Sequence, residues 1–93
     1  MAVFLARVEL HGGTESNYEI LHSAMRDIGF ARTVTRSDGV KFHLPSAEYT
    51  GFLDSNLTLI RVAVKNAANR TGRSSWVLVT QAAAIDWDLS VAR

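Results

Sequence analysis

Apolar and polar residues alternate over Ala2–Leu10, where Phe4, Ala6, Val8 and Leu10 share one face and Val3, Leu5, Arg7 and Glu9 the other. A period of two is that of a strand. Its first face is wholly apolar, and its second begins apolar and ends charged. His11-Gly12-Gly13 closes it, because glycine turns through positive φ at little cost. The period then changes. Tyr18, Leu21, Met25 and Ile28, with Ala24 beside them, recur at helical spacing and predict a helix from Ser16 to Ile28. Gly29 fits the left-handed position just past its end. Ser16 and Glu19 have the spacing of a capping box, with Thr14 as the alternative cap.

Phe30–Arg36 reads as a second strand, and Asp38-Gly39 as a hairpin turn in which both positions take positive φ. In the third strand Val40, Phe42 and Leu44 point one way, Lys41 and His43 the other, until Pro45 ends or bends it. Ser46–Leu53 reads either as a continuation of that strand after a kink or as an irregular loop. Asp54 is placed to cap a second helix, Ser55–Thr71, with Leu57, Ile60, Val64, Ala67 and Ala68 on its apolar face and Gly72 as its stop. The near-continuous apolar run Ser75–Thr80 suits a central strand covered on both faces. Ile85, Trp87, Leu89 and Val91 alternate with polar or small residues, so a fifth strand is expected in 83–93, folded back on its own sheet or paired with a second copy.

This order predicts one α+β domain over residues 1–93. The expected fold is ferredoxin-like, a β-α-β-β-α-β antiparallel sheet with two helices on one face and an extra C-terminal strand. The core would hold Phe4, Val8, Leu21, Met25, Ile28, Phe42, Ile60 and Val64. The opposite sheet face collects Val3, Leu5, Arg7, Glu9, Lys41 and His43, and a half-apolar, uncovered face predicts a homodimer. Trp76 and Trp87 are expected as core and interface anchors.

Composition narrows the function classes. With 93 residues, 47% hydrophobic and 20% charged, the chain is globular rather than disordered. A net charge of +1 is too small to attract nucleic acid in bulk, so any phosphate contact must come from local clustering. The absence of cysteine removes disulfides and thiolate metal sites and suits a cytoplasmic protein. MAVFLARVEL is too short to span a bilayer and carries no basic flank or cleavage pattern, so no membrane partner is expected. No cofactor or metal is expected either, since no histidine pair has metal-binding helical spacing.

Three residues could carry chemistry. Glu9 and His11 share a face where the first strand ends, a carboxylate and an imidazole able to bind a divalent metal or pass protons. His22, four positions after Tyr18, sits at the edge of the buried helical stripe and could act as a base. As ordinary structure, the first two would be a solvated strand end and the third a boundary histidine. The basic residues spread over several elements. Arg26, Arg32 and Arg36 could position phosphates, and Lys41 and His43 read equally as RNA-facing surface or exposed strand.

The segment YEILHSAMRDIGF, followed by a strand, an acid-Gly turn and LPSAEY, resembles the GhoS family of small ferredoxin-like endoribonuclease antitoxins of type V toxin–antitoxin systems. The resemblance spans residues 3–44. It implies RNA binding and, with it, cleavage of a toxin message, with no DNA partner. The acidic residue closing the family's first strand falls on Glu9, one methylene longer than the aspartate expected there. The basic helix residue linked to cleavage falls on His22, where the characterised member of the family has arginine. The resemblance thus makes Glu9, His11 and His22 an acid–base cluster. A reading of another class stands beside it: a non-enzymatic dimeric interaction or regulatory module that binds a partner through the open sheet face.

Overall fold

The computed structural model describes residues 1–92 and has an α+β architecture. The elements are β1 (Ala2–Leu10), α1 (Glu15–Asp27), β2 (Thr33–Thr35), β3 (Lys41–His43), β4 (Glu48–Leu53), α2 (Leu57–Asn69) and β5 (Ser75–Ala82). β4, β1 and β5 form an antiparallel sheet with β1 in the middle, and β2 and β3 form a separate two-stranded ribbon. An isolated bridge between Ala31 and Thr50 ties the segment before β2 to the second edge of β4.

β1 has the boundaries its alternation predicts. Phe4, Ala6, Val8 and Leu10 are buried and join one hydrophobic cluster with Leu21, Ala24 and Met25 of α1 and Ile60, Val64, Ala67 and Ala68 of α2. Of the expected core, Ile28 is only partly buried, and Phe42 is buried outside that cluster. Phe30 and Tyr49 are core residues that periodicity did not single out, and Leu10 is buried with the rest of the apolar face of β1.

One helix start falls on the alternative reading and the other differs from expectation. Thr14, the alternative to Ser16, caps α1. Its hydroxyl accepts from the Asn17 N–H (3.2 Å) while Asn17 Oδ1 accepts from the Thr14 N–H (2.9 Å). This reciprocal pair satisfies two donors that the helix leaves free. Asn56, not Asp54, caps α2, its Oδ1 accepting from the Leu59 N–H at 3.0 Å. Leu57, expected on the apolar face, therefore lies in the first turn and is exposed.

The hairpin turn also works differently. Only Gly39 takes positive φ (+88°), and the Gly39 N–H donates to the Arg36 carbonyl at 2.9 Å. The Arg36 N–H then donates to the Val40 carbonyl (2.8 Å), and Asp38 Oδ1 accepts from the Val40 N–H (3.1 Å). One glycine after a tight turn, with aspartate side-chain support, replaces two left-handed positions.

Three strand assignments are corrected. The strand beside β1 is β4, from the segment left between strand and loop, while Lys41–His43 lies in the ribbon. Lys41 and His43 are therefore not on the β1 sheet face. β5 is an edge, not a central strand: its burial alternates, and Trp76 and Leu78 are 69% and 65% exposed. Trp76 is thus not a core residue. Beyond β5 there is no regular strand among the described residues. Residues 83–92 run irregularly to a single bridge between Val91 and Phe42, where the His43 N–H donates to the Ser90 carbonyl (2.9 Å) and the Ala92 N–H to the Lys41 carbonyl (2.8 Å). The tail's alternation has a different cause. Trp87 and Leu89 are half-buried over a cavity of about 410 Å³ whose other walls include Leu5, Arg7, Val34, Leu44, Leu78 and Thr80. The open sheet face is thus partly covered by the chain's own tail, which removes the argument that it needs a second copy.

Candidate functional site

β1 outruns β4. Its pairing with β4 ends at Arg7 and Glu48, after which the Val8 N–H meets only the Ala47 carbonyl (3.1 Å) at a residue with φ of 61°. α1 starts beside this exposed end of β1, because Gly12 turns the chain straight back (φ +67°). A cleft results at the rim of the sheet. It has a volume of about 470 Å³ and is lined by Arg7, Val8, Glu9, Glu15, Tyr18, His22, Arg32, Ser46 and Ala47. His22 and Arg32 also line an adjoining cavity of about 320 Å³, with Glu19, Arg26 and Phe30. The two hollows share a wall.

The predicted acid–base residues divide between two neighbourhoods. Glu9 and His22 line the same cleft, while His11 does not. His11 stands on the far side of Glu9, its Nε2 3.7 Å from Glu9 Oε2. That separation is an electrostatic approach, too long for a hydrogen bond, so among the described residues Nε2 is buried with no partner. Nδ1 of His11 lies 3.1 Å from Ser74 Oγ, and its ring meets Trp76 edge-on at 4.8 Å.

His22 is held more firmly. Its Nδ1 lies 2.7 Å from the hydroxyl of Tyr49, which is 1% exposed. Burial pushes the Tyr49 hydroxyl well above its ordinary value, so it keeps its proton. A buried hydroxyl proton needs an acceptor, and Nδ1 is its one partner among the described residues. Tyr49 therefore donates, which leaves the other ring proton of His22 on Nε2. Burial first, and then the nearby Arg32 guanidinium, hold the imidazole below its ordinary 6.5. At neutral pH His22 is an uncharged hydrogen-bond donor.

This shift has a consequence for stability. Below about pH 6.5 the unfolded chain takes up a proton that folded His22 resists, so stability is complete above that pH and falls as pH drops through the lower folded value. Urea unfolding at about pH 7.5 and about pH 5 should show a larger loss for the wild type than for His22→Gln. Equal losses would mean that the imidazole is not held neutral.

The basic residues also divide. Arg7, Arg26 and Arg32 lie at the cleft and its neighbour, without carboxylate partners within 4.0 Å among the described residues. Arg36 is at the hairpin, where Asp38 takes it in a forked ion pair (2.8 Å) and its guanidinium lies 5.2 Å from the Phe42 ring centre. Lys41 and His43 flank Phe42 on the same ribbon. The geometry thus brings Arg26, Arg32 and His22 together and sets Arg36, Lys41 and His43 apart.

Sequence reasoning missed Tyr49 and, as a cleft residue, Arg7. For Arg7 the signal was present, since it shares a strand face with Glu9. Among the described residues no group of three or more histidine or acidic side chains could hold a metal ion, and no helix is long and apolar enough to cross a membrane. No protein-family model matches the chain, and no curated protein matches it.

Proposed function

We propose that this chain is a small cytoplasmic RNA-binding protein with a ferredoxin-like arrangement, similar to the GhoS-like antitoxins, and that its rim cleft takes the phosphodiester backbone of a single strand. One observation carries this reading: Arg7 and Arg32 share the cleft with His22 and, among the described residues, neither has a carboxylate within 4.0 Å, although Glu9 and Glu15 line the same cleft. Arg26 extends the line into the adjoining hollow. Unpaired guanidiniums in a concave site suit phosphate, which they can grip with two parallel hydrogen bonds. The two-helices-on-one-face arrangement is supported by the single buried cluster that α1 and α2 share with one face of β1.

Binding is better supported than cleavage. Metal-independent hydrolysis needs a base for the attacking 2′-hydroxyl and an acid for the leaving oxygen. Glu9 is available as the base. His22, uncharged with its proton on Nε2, is a good donor to a phosphate oxygen but a weak acid at neutral pH. Any cleavage should therefore be slow and should rise only as the pH falls toward the lowered value of the folded imidazole.

The test is fluorescence anisotropy with a labelled single-stranded RNA, followed by gel analysis of the same mixtures. Binding at low salt with a dissociation constant of about 1–100 μM, lost as salt rises, is expected. Products, if any form, should vanish in both Glu9→Gln and His22→Gln. No binding even at low salt overturns the reading, and cleavage unchanged in both variants removes these residues from the chemistry.

A further inference from the structure

β5 ends the sheet, and among the described residues nothing pairs with its outer side. The His11 N–H donates to the Ser74 carbonyl, which fixes the alternation along β5. Ser74, Trp76, Leu78 and Thr80 turn their backbone groups toward β1, so Ser75, Val77, Val79 and Gln81 turn theirs outward. Lys65 of α2 agrees with this, its Nζ capping the Ser75 carbonyl from outside at 2.7 Å. Beyond that single cap, Val77, Val79 and Gln81 each present an N–H and a C=O to solvent.

An open edge is a template for another strand, and proteins usually guard it with charge, proline or a bulge. SWVLVTQA contains no charged residue and no proline. Its flanks are apolar on both sides of the sheet. Trp76 and Leu78 are exposed on the open face. On the helix side, Val62 lies one turn before Lys65, and Leu59 one turn before that, 42% and 59% exposed.

We propose that this edge is a dimer interface, in which β5 pairs antiparallel with β5 of a second copy about a twofold axis at Val79. In that register Val79 faces the partner's Val79 and Val77 faces the partner's Gln81. On the open face Leu78 lies beside the partner's Thr80, and Trp76 beside the partner's Ala82. Two features favour a copy over an extended peptide. The strand is uncharged, so juxtaposing it with itself places no like charges together. Val62 and Leu59 also add exposed apolar surface on the helix side, against which a second α2 can pack and a lone strand cannot.

Sedimentation velocity across a micromolar concentration series, with hydrogen exchange read residue by residue, tests this. The expected result is a dimer in which the Val77, Val79 and Gln81 amides become protected as concentration rises. Val79→Pro removes only an outward N–H and leaves the ladder to β1 intact. It should weaken dimerisation about tenfold or more, since the axis pair loses both of its bonds. Leu78→Lys leaves the edge backbone unaltered and should weaken the dimer by crowding charge onto the axis, and wild-type-like protection of β1 amides will show that each variant is folded. A protein that stays monomeric overturns the proposal, whether or not it captures an extended peptide. So does a dimer whose Val77, Val79 and Gln81 amides exchange freely, or one that tolerates Val79→Pro.

Discussion

Tyr49→Ala is expected to destabilise the domain by about 3–5 kcal/mol, a large share of the roughly 5–15 kcal/mol that holds a small domain together. Tyr49 is the largest of the fully buried side chains. It stands opposite Ala6 in the pairing of β4 with β1, so its ring fills the core where the two strands meet the helices. Removing the ring leaves a cavity and also strips His22 of its partner. Tyr49→Phe separates the two contributions: it keeps the ring and loses only the 2.7 Å hydrogen bond, at a cost of about 1 kcal/mol. Chemical denaturation of both variants gives the values. A loss below about 1 kcal/mol for the alanine variant would mean that β4 does not pack beside β1 as described.

Arg7→Ala combined with Arg32→Ala is expected to weaken binding of a single-stranded RNA about ten- to a hundredfold at low salt. Each arginine that neutralises a phosphate releases counterions on binding, so each loss should flatten the slope of log affinity against log salt by about 0.7. The reduced slope separates lost phosphate contacts from a general loss of folding, which would lower affinity without that signature. Arg61, exposed on α2 and also without a carboxylate partner among the described residues, serves as the control. Arg61→Ala should bind like the wild type. An equal loss at Arg61 would mean that RNA meets a diffuse positive surface rather than the cleft.

How much of this was legible in the chain depended on how local each cause is. β1 and the buried stripe of α1 could be read directly, because alternation and helical spacing are properties of neighbouring residues. β4 could not. Its inward positions are Tyr49, Gly51 and Leu53, and the glycine interrupts the apolar pattern. Gly51 is there for a distant reason: a Cβ would stand 3.1 Å from the Gly29 carbonyl and 3.2 Å from the Phe30 ring, where the end of α1 crosses the strand. The same limit explains β5. An unbroken apolar run says that both faces are greasy, not that both are covered, and its place at the sheet edge is decided by which strands flank β1.

The candidate site follows the same rule. Glu9 and His11 could be paired from strand periodicity, and they do stand together. That His22 lines the same cleft as Glu9 rests on the register of α1 over β1, which the sequence suggests but does not state. The Tyr49–His22 hydrogen bond, which decides the protonation of the imidazole, joins residues 27 positions apart and leaves no local trace. The basic residues looked equivalent as letters. Tertiary structure sorts them into a cleft group and a hairpin group, the second anchored by the Arg36–Asp38 ion pair.

Titrating an unlabelled single-stranded RNA into the isotope-labelled protein, and following each backbone amide by NMR, tests the central claim most directly. If guanidiniums without internal partners make the cleft a phosphate seat, the largest shifts will fall on Arg7, Val8, Glu9, His22, Arg32 and Ala47, with smaller ones at Arg26. Shifts confined to Arg36, Lys41 and His43, or a spectrum unmoved at low salt, would contradict it.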